Sequence, residues 1–360
     1  MISLGVVVIT KNQDWNIERL LRSVLNQSSV ISAQDIIVVD SASADETVER
    51  ARSFDVRVVQ LSAAQRLTPA AGRYVGFHLT TGDAVLFLDG DMELCDGWLE
   101  PALRTLDSLP DVAVITGHVV DVDGESSFRE TPSTESAPAS NEVIAIRQPG
   151  GAALYRRSVL EEVGTFNPYL YSDGEPELCL RVRHAGYRVV RIPRRLAFHY
   201  VRDGNQFATV LARRRRNLYL GYGQVFRYHL RDGLLWWHLR ERGWWVGPGL
   251  ALLVGLGSVG YSLYAKTWIP TGIWAASGAV ICIADAVRKR SCARTVHSLL
   301  RRLVILEGFL RGLLLRPLDP RTYPIHVEPG SLHGADVTPS ALPSDIPVDG
   351  EPELATRSVN

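Results

Sequence analysis

Apolar and polar positions alternate between two periods along the first two hundred residues, and the order of the changes predicts the architecture. The chain opens on Leu4-Gly5-Val6-Val7-Val8-Ile9-Thr10, a continuous apolar run of the kind carried by a strand covered on both faces. Ile17, Leu20, Leu21, Val24 and Leu25 then recur at helical spacing, and Ile36-Ile37-Val38-Val39-Asp40 reads as a second buried strand ending in a carboxylate. The pattern repeats as a helix over Thr47–Arg52, a strand over Val56–Leu61, a helix over Pro69–Leu79 and a strand over Asp83–Leu88 that runs into Asp89-Gly90-Asp91. Beyond Gly150 come a strand (Ala152–Tyr155), a helix (Ser158–Val163), a helix from near Pro176 to Ala185, a strand (Val189–Pro193) and a short last strand ending at His199. This alternation predicts an open, mostly parallel α/β sheet with helices on both faces. Residues 125–142, rich in Ser, Thr, Pro and Ala, have no sustained period and are expected to form a loop.

The pattern changes again near residue 243. Gly243–Ala265 contains 23 residues without a charged side chain and Thr267–Ala284 contains 18 more, with only Lys266 between them. Each is long enough to cross a bilayer, so residues 244–287 predict a helical membrane hairpin. Arg240 and Arg242 precede it and Arg288-Lys289-Arg290 follow it, which puts both ends on the cytoplasmic side, with Trp244, Trp245, Trp268 and Trp274 near the expected aromatic belts. A pair of buried soluble helices would give the same run. Val304–Leu315, with Arg301, Arg302, Arg311 and Arg316, predicts an amphipathic helix lying in the interface. The expected domains are therefore 1–205 (the α/β unit), 206–243 (a basic helical connector), 244–287 (the hairpin), 288–321 (the interfacial helix) and 322–360 (a disordered tail).

Net charge sharpens this division. The chain of 360 residues is neutral, yet its segments carry −14 (1–180), +12 (181–243), 0 (244–287), +7 (288–321) and −5 (322–360). An acidic front half argues against a nucleic-acid binder, and two basic blocks flanking a chargeless stretch suit an anionic membrane surface. The four cysteines have no CxxC spacing, so neither a zinc cluster nor a disulfide framework is expected and a reducing compartment is favoured. The opening apolar run is too short for a secretory leader.

In open α/β sheets ligands bind beyond the carboxyl ends of the strands, where Thr10-Lys11-Asn12, Asp40 and Asp89-Gly90-Asp91 fall. Two carboxylates separated by one residue make half of a hard-cation site, which phosphate oxygens can complete. Each position also has an ordinary structural use: Asp40 as a strand-end cap, Arg73 as partner of a phosphate or of a nearby acid, Glu175 as a helix N-terminal acid, His199 as a core histidine.

The ordered combination resembles the family 2 glycosyltransferases of GT-A fold, the nucleotide-diphospho-sugar transferases. The likeness rests on Val7-Val8-Ile9-Thr10-Lys11-Asn12, Val38-Val39-Asp40-Ser41-Ala42-Ser43-Ala44-Asp45-Glu46-Thr47, Leu86-Phe87-Leu88-Asp89-Gly90-Asp91, Val163-Gly164-Thr165-Phe166, Glu175-Pro176-Glu177-Leu178-Cys179-Leu180-Arg181, Ala185-Gly186-Tyr187-Arg188 and His199, and covers roughly residues 1–200. The resemblance implies that Thr10, Lys11, Asn12 and Asp40 contact the base and ribose of a sugar nucleotide, with Arg73 and Gly151 also on the substrate. It further implies that Asp89, Asp91 and His199 serve a divalent cation, Mg²⁺ or Mn²⁺, and its diphosphate, and that Glu175 is the catalytic base of an inverting transfer. Three positions depart from the family's usual pattern: Gly174 replaces an acid before Glu175, Tyr74 stands where asparagine often follows the arginine, and Lys11 replaces an aromatic residue or arginine.

The expected function is transfer of a sugar from a nucleotide-diphosphate donor to a hydroxyl of a lipid-linked or cell-surface saccharide, at the cell membrane, with the catalytic unit in the cytoplasm. Its rivals are a nucleotidyltransferase, which would show a Gly-rich basic loop where Thr10-Lys11-Asn12-Gln13-Asp14 stands, and a non-catalytic membrane-bound assembly partner. A dinucleotide dehydrogenase is disfavoured because no GxGxxG follows a strand.

Overall fold

Val6 and Val8 point to one side of the first strand and Val7 and Ile9 to the other, and all four are essentially buried. In the computed structural model, which describes residues 2–27, 31–123, 142–201, 206–243 and 246–328, these side chains enter two separate cores. The run is continuous because both faces of the strand are covered.

The elements of the first unit are β1 (Leu4–Thr10), α1 (Ile17–Leu25), β2 (Ile36–Asp40), α2 (Thr47–Arg52), β3 (Arg57–Gln60), α3 (Pro69–Leu79), β4 (Ala84–Asp89), β5 (Met92–Leu94), α4 (Leu99–Ser108), β6 (Val112–Asp123), β7 (Ile144–Ala145), β8 (Ala153–Arg156), α5 (Arg157–Val163), α6 (Gly174–His184) and β9 (Arg188–Val201). The sheet runs in the order β3-β2-β1-β4-β8-β6-β9-β5, with β7 added alongside β9. The β3-β2-β1-β4 portion is parallel, whereas β8 pairs antiparallel with both β4 and β6, so the sheet is mixed. One core packs α1, α2 and α4 on one face, through residues such as Leu20, Leu21, Ala51, Leu99 and Leu106. The other packs α3, α5 and α6 on the opposite face, through Ala71, Val75, Leu160, Leu178 and Val182.

Two sequence expectations need correction here. Pro193 does not divide the last strand, because β9 continues from Arg188 to Val201. Its missing N–H falls where the register against β6 shifts, between the pairs Thr116–Arg191 and His118–Arg195, so no ladder bond is lost to it. The expected disordered tail also starts too early. Residues 318–328 return to the first unit, where Tyr323 and Ile325 are buried, the Tyr323 hydroxyl donates to the Arg66 carbonyl at 2.5 Å, and Ser62 N and Glu328 N donate to the carbonyls of His326 and Gln60 at 2.9 Å each. The segment covers the exposed edge beyond β3. The rest of the expected tail, nearly all of the expected 125–142 loop, and Trp244 and Trp245 lie outside the described residues.

The second unit takes Tyr171–Asp173 and the described residues from 206 to Pro317. Its helices are α7 (Gln206–Arg215), α8 (Leu220–Tyr228), α9 (Leu235–Arg242), α10 (Val246–Ala265), α11 (Ile269–Lys289) and α12 (Cys292–Leu314). A small core of Val210, Tyr219, Val304, Ile305 and Phe309 joins α7, α8 and α12. Within this unit Arg242 pairs with Asp173, and Tyr171 N donates to Gln224 Oε1 at 3.0 Å. Helices α10 and α11, of 20 and 21 residues, are long and apolar enough to cross a membrane, and little of either is buried. Trp274, expected in an aromatic belt, turns its indole onto α10 and donates to the Ala251 carbonyl at 2.8 Å.

Candidate active site

The site is assembled where β1, β2 and β4 end. Parallel pairing puts Thr10 beside Asp40 and Ile9 beside Asp89, so three strand tips share one edge. Asp40 is buried, and burial holds its carboxyl above the usual carboxylate range, opposed by hydrogen bonds from the Ser43 hydroxyl and from Ser43 N at 2.8 Å. Asn12, with φ of 53°, locks the neighbouring loop: its N donates to Ser43 Oγ at 2.8 Å and its Oδ1 accepts from Ala44 N at 2.9 Å. Thr10 Oγ1 is buried and lacks a hydrogen-bond partner in the structure, leaving one polar atom available beside this edge. Lys11 is exposed.

The centre of the site is the Arg73 guanidinium, which is buried on α3. Nη2 contacts Asp89 Oδ1 at 2.5 Å and Nη1 contacts Glu175 Oε1 at 2.7 Å, so one cation joins the carboxylate at the tip of β4 to the carboxylate at the start of α6. Both terminal nitrogens of Arg73 thus pair with acids. Burial opposes its charge, and Asp89 and Glu175 more than restore it. Asp89 is pushed up to about 7, chiefly by burial and further by Asp91 and Glu175, with Arg73 pulling the other way. Arg73 Nη2 also donates to the Gly151 carbonyl at 3.4 Å. A Cβ on Gly151 would collide with Asp89 Oδ2, so only glycine leaves the carboxylate its position.

Asp91 faces a different partner. Its Oδ2 lies 3.5 Å from His199 Nε2, and its Oδ1 is buried without a hydrogen-bond partner. His199 Nδ1 is held by Asp121 Oδ1 at 2.8 Å. Its pKa rises to about 9, first through the contact with Asp91 and then through Asp121, against the effect of burial. Asp91, His199 and Asp89 offer hard oxygen and imidazole donors, a set that suits Mn²⁺ or Mg²⁺ together with phosphate oxygens. The unpartnered Asp91 Oδ1 fits such an ion. Among the described residues no three His, Cys, Asp or Glu side chains are grouped so as to hold a metal ion by themselves, so Asp89, Asp91 and His199 would hold one only with other oxygens completing its shell.

Two positioning residues escape the sequence pattern. Asn16 is buried and donates its amide to the carbonyls of Gly90 and Met92 at 3.0 and 2.9 Å, fixing the turn that carries Asp91. Asp121 lies on β6 directly opposite His199 on β9, a register visible only in the folded sheet. Two departures from the family pattern also acquire reasons. Tyr74 is buried edge-to-face against Tyr323, ring centroids 5.9 Å apart, and so carries the returning segment. A Cβ on Gly174 would stand 3.2 Å from Ala70 Cβ, so the close approach of α6 to α3 disfavours any larger residue before Glu175.

Residues 5–164 match the model of the family described as glycosyl transferase family 2. The glycosyltransferase AglE of Haloferax volcanii is 28% identical over 195 residues, 51% of this chain and 62% of that protein. The pre-mycofactocin glycosyltransferase of Mycobacterium tuberculosis is 29% identical over 208 residues, 54% of this chain and 42% of that one. The chain thus spans less than two thirds of the length of these relatives. A mannosyltransferase of Pyrobaculum calidifontis, solved with GDP-Man and Mn²⁺, superposes with a TM-score of 0.51 over 86% of this chain and 87% of its own, at 19% identity, and shares the GT-A fold.

Proposed function

We propose, from the match of residues 5–164 to the model of glycosyltransferase family 2, that this chain transfers a sugar with inversion from a nucleoside-diphosphate donor to a saccharide hydroxyl. The observation that carries this reading is the Arg73 bridge, which ties a donor-side carboxylate and an acceptor-side carboxylate to one buried cation. Thr10, Lys11, Asn12 and Asp40 would receive the base and ribose, with the orphaned Thr10 hydroxyl free to pair with the ligand. Asp89, Asp91 and His199 would hold a divalent cation, which when bound supplies positive charge to a departing diphosphate.

Glu175 is the base in this mechanism. It accepts the acceptor hydroxyl proton as that oxygen bonds to the anomeric carbon, and the bond from that carbon to the diphosphate oxygen breaks with its electron pair leaving on the nucleotide. Arg73 holds the Glu175 side chain in place at 2.7 Å, and Asp121 orients His199 through Nδ1 so that Nε2 faces Asp91. Single displacement inverts the anomeric centre.

The two apolar helices α10 and α11 support attachment to the cell membrane, and the basic residues at their shared end support a cytoplasmic catalytic unit. A membrane setting favours a lipid-linked or cell-surface saccharide as acceptor. The tight packing of Gly174 on Ala70 offers a packing reason for the missing acid, which favours the enzyme reading over the assembly partner.

The test is purified full chain with a panel of sugar nucleotides, Mn²⁺ or Mg²⁺ and saccharide acceptors. Nucleoside diphosphate release that Glu175→Gln and Asp91→Asn abolish, with a product of opposite anomeric configuration by NMR, supports the proposal. No release from any donor points to the assembly partner, and pyrophosphate release from a nucleoside triphosphate to the nucleotidyltransferase.

A further inference from the structure

Helix α12 carries two apolar faces. Val304, Ile305, Gly308, Phe309 and Gly312 are buried, several of them in the core shared with α7 and α8. This corrects the sequence expectation for 304–315, since Val304 and Ile305 face protein and are unavailable to lipid. Opposite them, Val296, Leu299, Leu303, Leu310 and Leu314 are 39 to 83% exposed. At 3.6 residues per turn these five fall within an arc of roughly 60°. Arg302 and Arg311 are exposed and flank that arc about 60° from its edges, one on each side, with Thr295 and Leu306 between Arg302 and the arc and Glu307, which pairs with Arg311 at 3.2 Å, between Arg311 and the arc. A soluble helix needs one apolar stripe; the second one lacks a protein partner among the described residues.

The surroundings of α12 identify what covers it. Only Arg290 and Ser291 separate α12 from the end of α11. The Thr295 hydroxyl donates to Asp285 Oδ2 at 2.9 Å near the C-terminal end of α11, and Leu306 Cδ1 lies 3.5 Å from a Cβ built on Gly249, near the N-terminal end of α10. Because α10 and α11 form a hairpin, those ends lie on the same side, and α12 runs across both. Thr295 and Leu306 also border the exposed stripe on the helix circumference, so the stripe lies beside the side that meets the hairpin.

We propose that this face is embedded in the plane of the bilayer: Val296, Leu299, Leu303, Leu310 and Leu314 enter the acyl boundary while Arg302 and Arg311 meet anionic headgroups, as apolar and basic residues do in interfacial helices. The inference rests on the membrane reading of α10 and α11 but concerns a separate surface.

The experiment places nitroxide labels on single accessible cysteines of the full chain, in a Cys95→Ser/Cys282→Ser/Cys292→Ser background that keeps only the buried Cys179, reconstituted in nanodiscs with and without anionic lipid. Leu299→Cys, Leu303→Cys and Leu310→Cys probe the stripe, Arg301→Cys probes an exposed position off it, and Leu256→Cys and Ile281→Cys probe the exposed sides of α10 and α11. The expected result is a several-fold higher ratio of oxygen to water-soluble nickel collision at the stripe than at 301, increasing with anionic lipid. Water-like ratios at the stripe with lipid-like ratios at 256 and 281 would overturn this proposal alone. Water-like ratios at all positions would overturn the membrane reading with it. Spin–spin broadening confined to the stripe would show a second copy of the chain in place of lipid and would also refute it.

Discussion

Replacing Arg73 with methionine removes the cation that two carboxylates share while roughly keeping the volume of the side chain. The guanidinium is almost wholly buried, its side chain 3% exposed, whereas Asp89 and Glu175 are 31% and 22% exposed. Truncating one partner of a buried pair typically costs about 3–5 kcal/mol because the other charge stays unpaired. Access of water to both acids puts this site near the lower end, about 3 kcal/mol. For a unit of this size that corresponds to a melting temperature lower by roughly 6–12 °C. Adding Asp89→Asn and Glu175→Gln to the variant removes the orphaned charges, so the triple variant should regain most of the loss while staying inactive. Thermal unfolding of the full chain in nanodiscs, followed by intrinsic fluorescence, reads the first quantity; nucleoside diphosphate release reads the second, with kcat/KM expected to fall about 10²-fold or more in Arg73→Met alone. The reasoning fails if Arg73→Met melts like the wild type, or if the three substitutions add independently, since residues sharing one ion-pair network must couple.

Gly151→Ala should leave the fold standing but displace the Asp89 carboxylate, lowering turnover and weakening the affinity for Mn²⁺ measured by calorimetry in the presence of nucleoside diphosphate. Asp121→Asn should weaken Mn²⁺ binding by about 10- to 100-fold through loss of the His199 orientation, with little change in the far-ultraviolet circular dichroism. The same pair sets a pH dependence. His199 is raised from 6.5 to about 9, so its contribution to stability is complete below pH 6.5 and is lost as pH rises through about 9; metal-free protein should show that decline between these values, and His199→Gln should flatten it. Tyr323→Ala should destabilise the first unit by about 3–5 kcal/mol, as expected for emptying a buried aromatic site, and a plain drop in melting temperature reports it.

The parallel half of the sheet is legible because its rule is local. β1, β2 and β4 are continuous apolar runs, the first two each followed by a helix, and the strand-tip residues follow from their place at the run's end. What stays hidden depends on pairing between distant segments. β6 carries Gly117 and His118 within it and reads poorly as a strand, yet its register with β9 is what brings Asp121 to His199. Arg73 is visible in the sequence as a candidate, but which of its partners it takes is decided by the packing of α3 against α6. Residues 318–328 look like the start of a tail because Pro317, Pro320 and Pro324 interrupt every period; they are held by two tyrosines and by backbone pairing at an edge, neither of which leaves a periodic trace. The second face of α12 was likewise hidden, since composition shows that a helix is amphipathic without showing which of two apolar sides is already occupied.

The return of residues 318–328 has a consequence for synthesis. A ribosome delivers β1 to β9 first, then α7 to α12, and only afterwards the stretch bearing Tyr323 and Ile325. The first unit therefore waits for its closing piece until the apolar helices have emerged, and a transcript cut short within them would yield a sheet with an uncovered margin, a natural substrate for quality-control proteases.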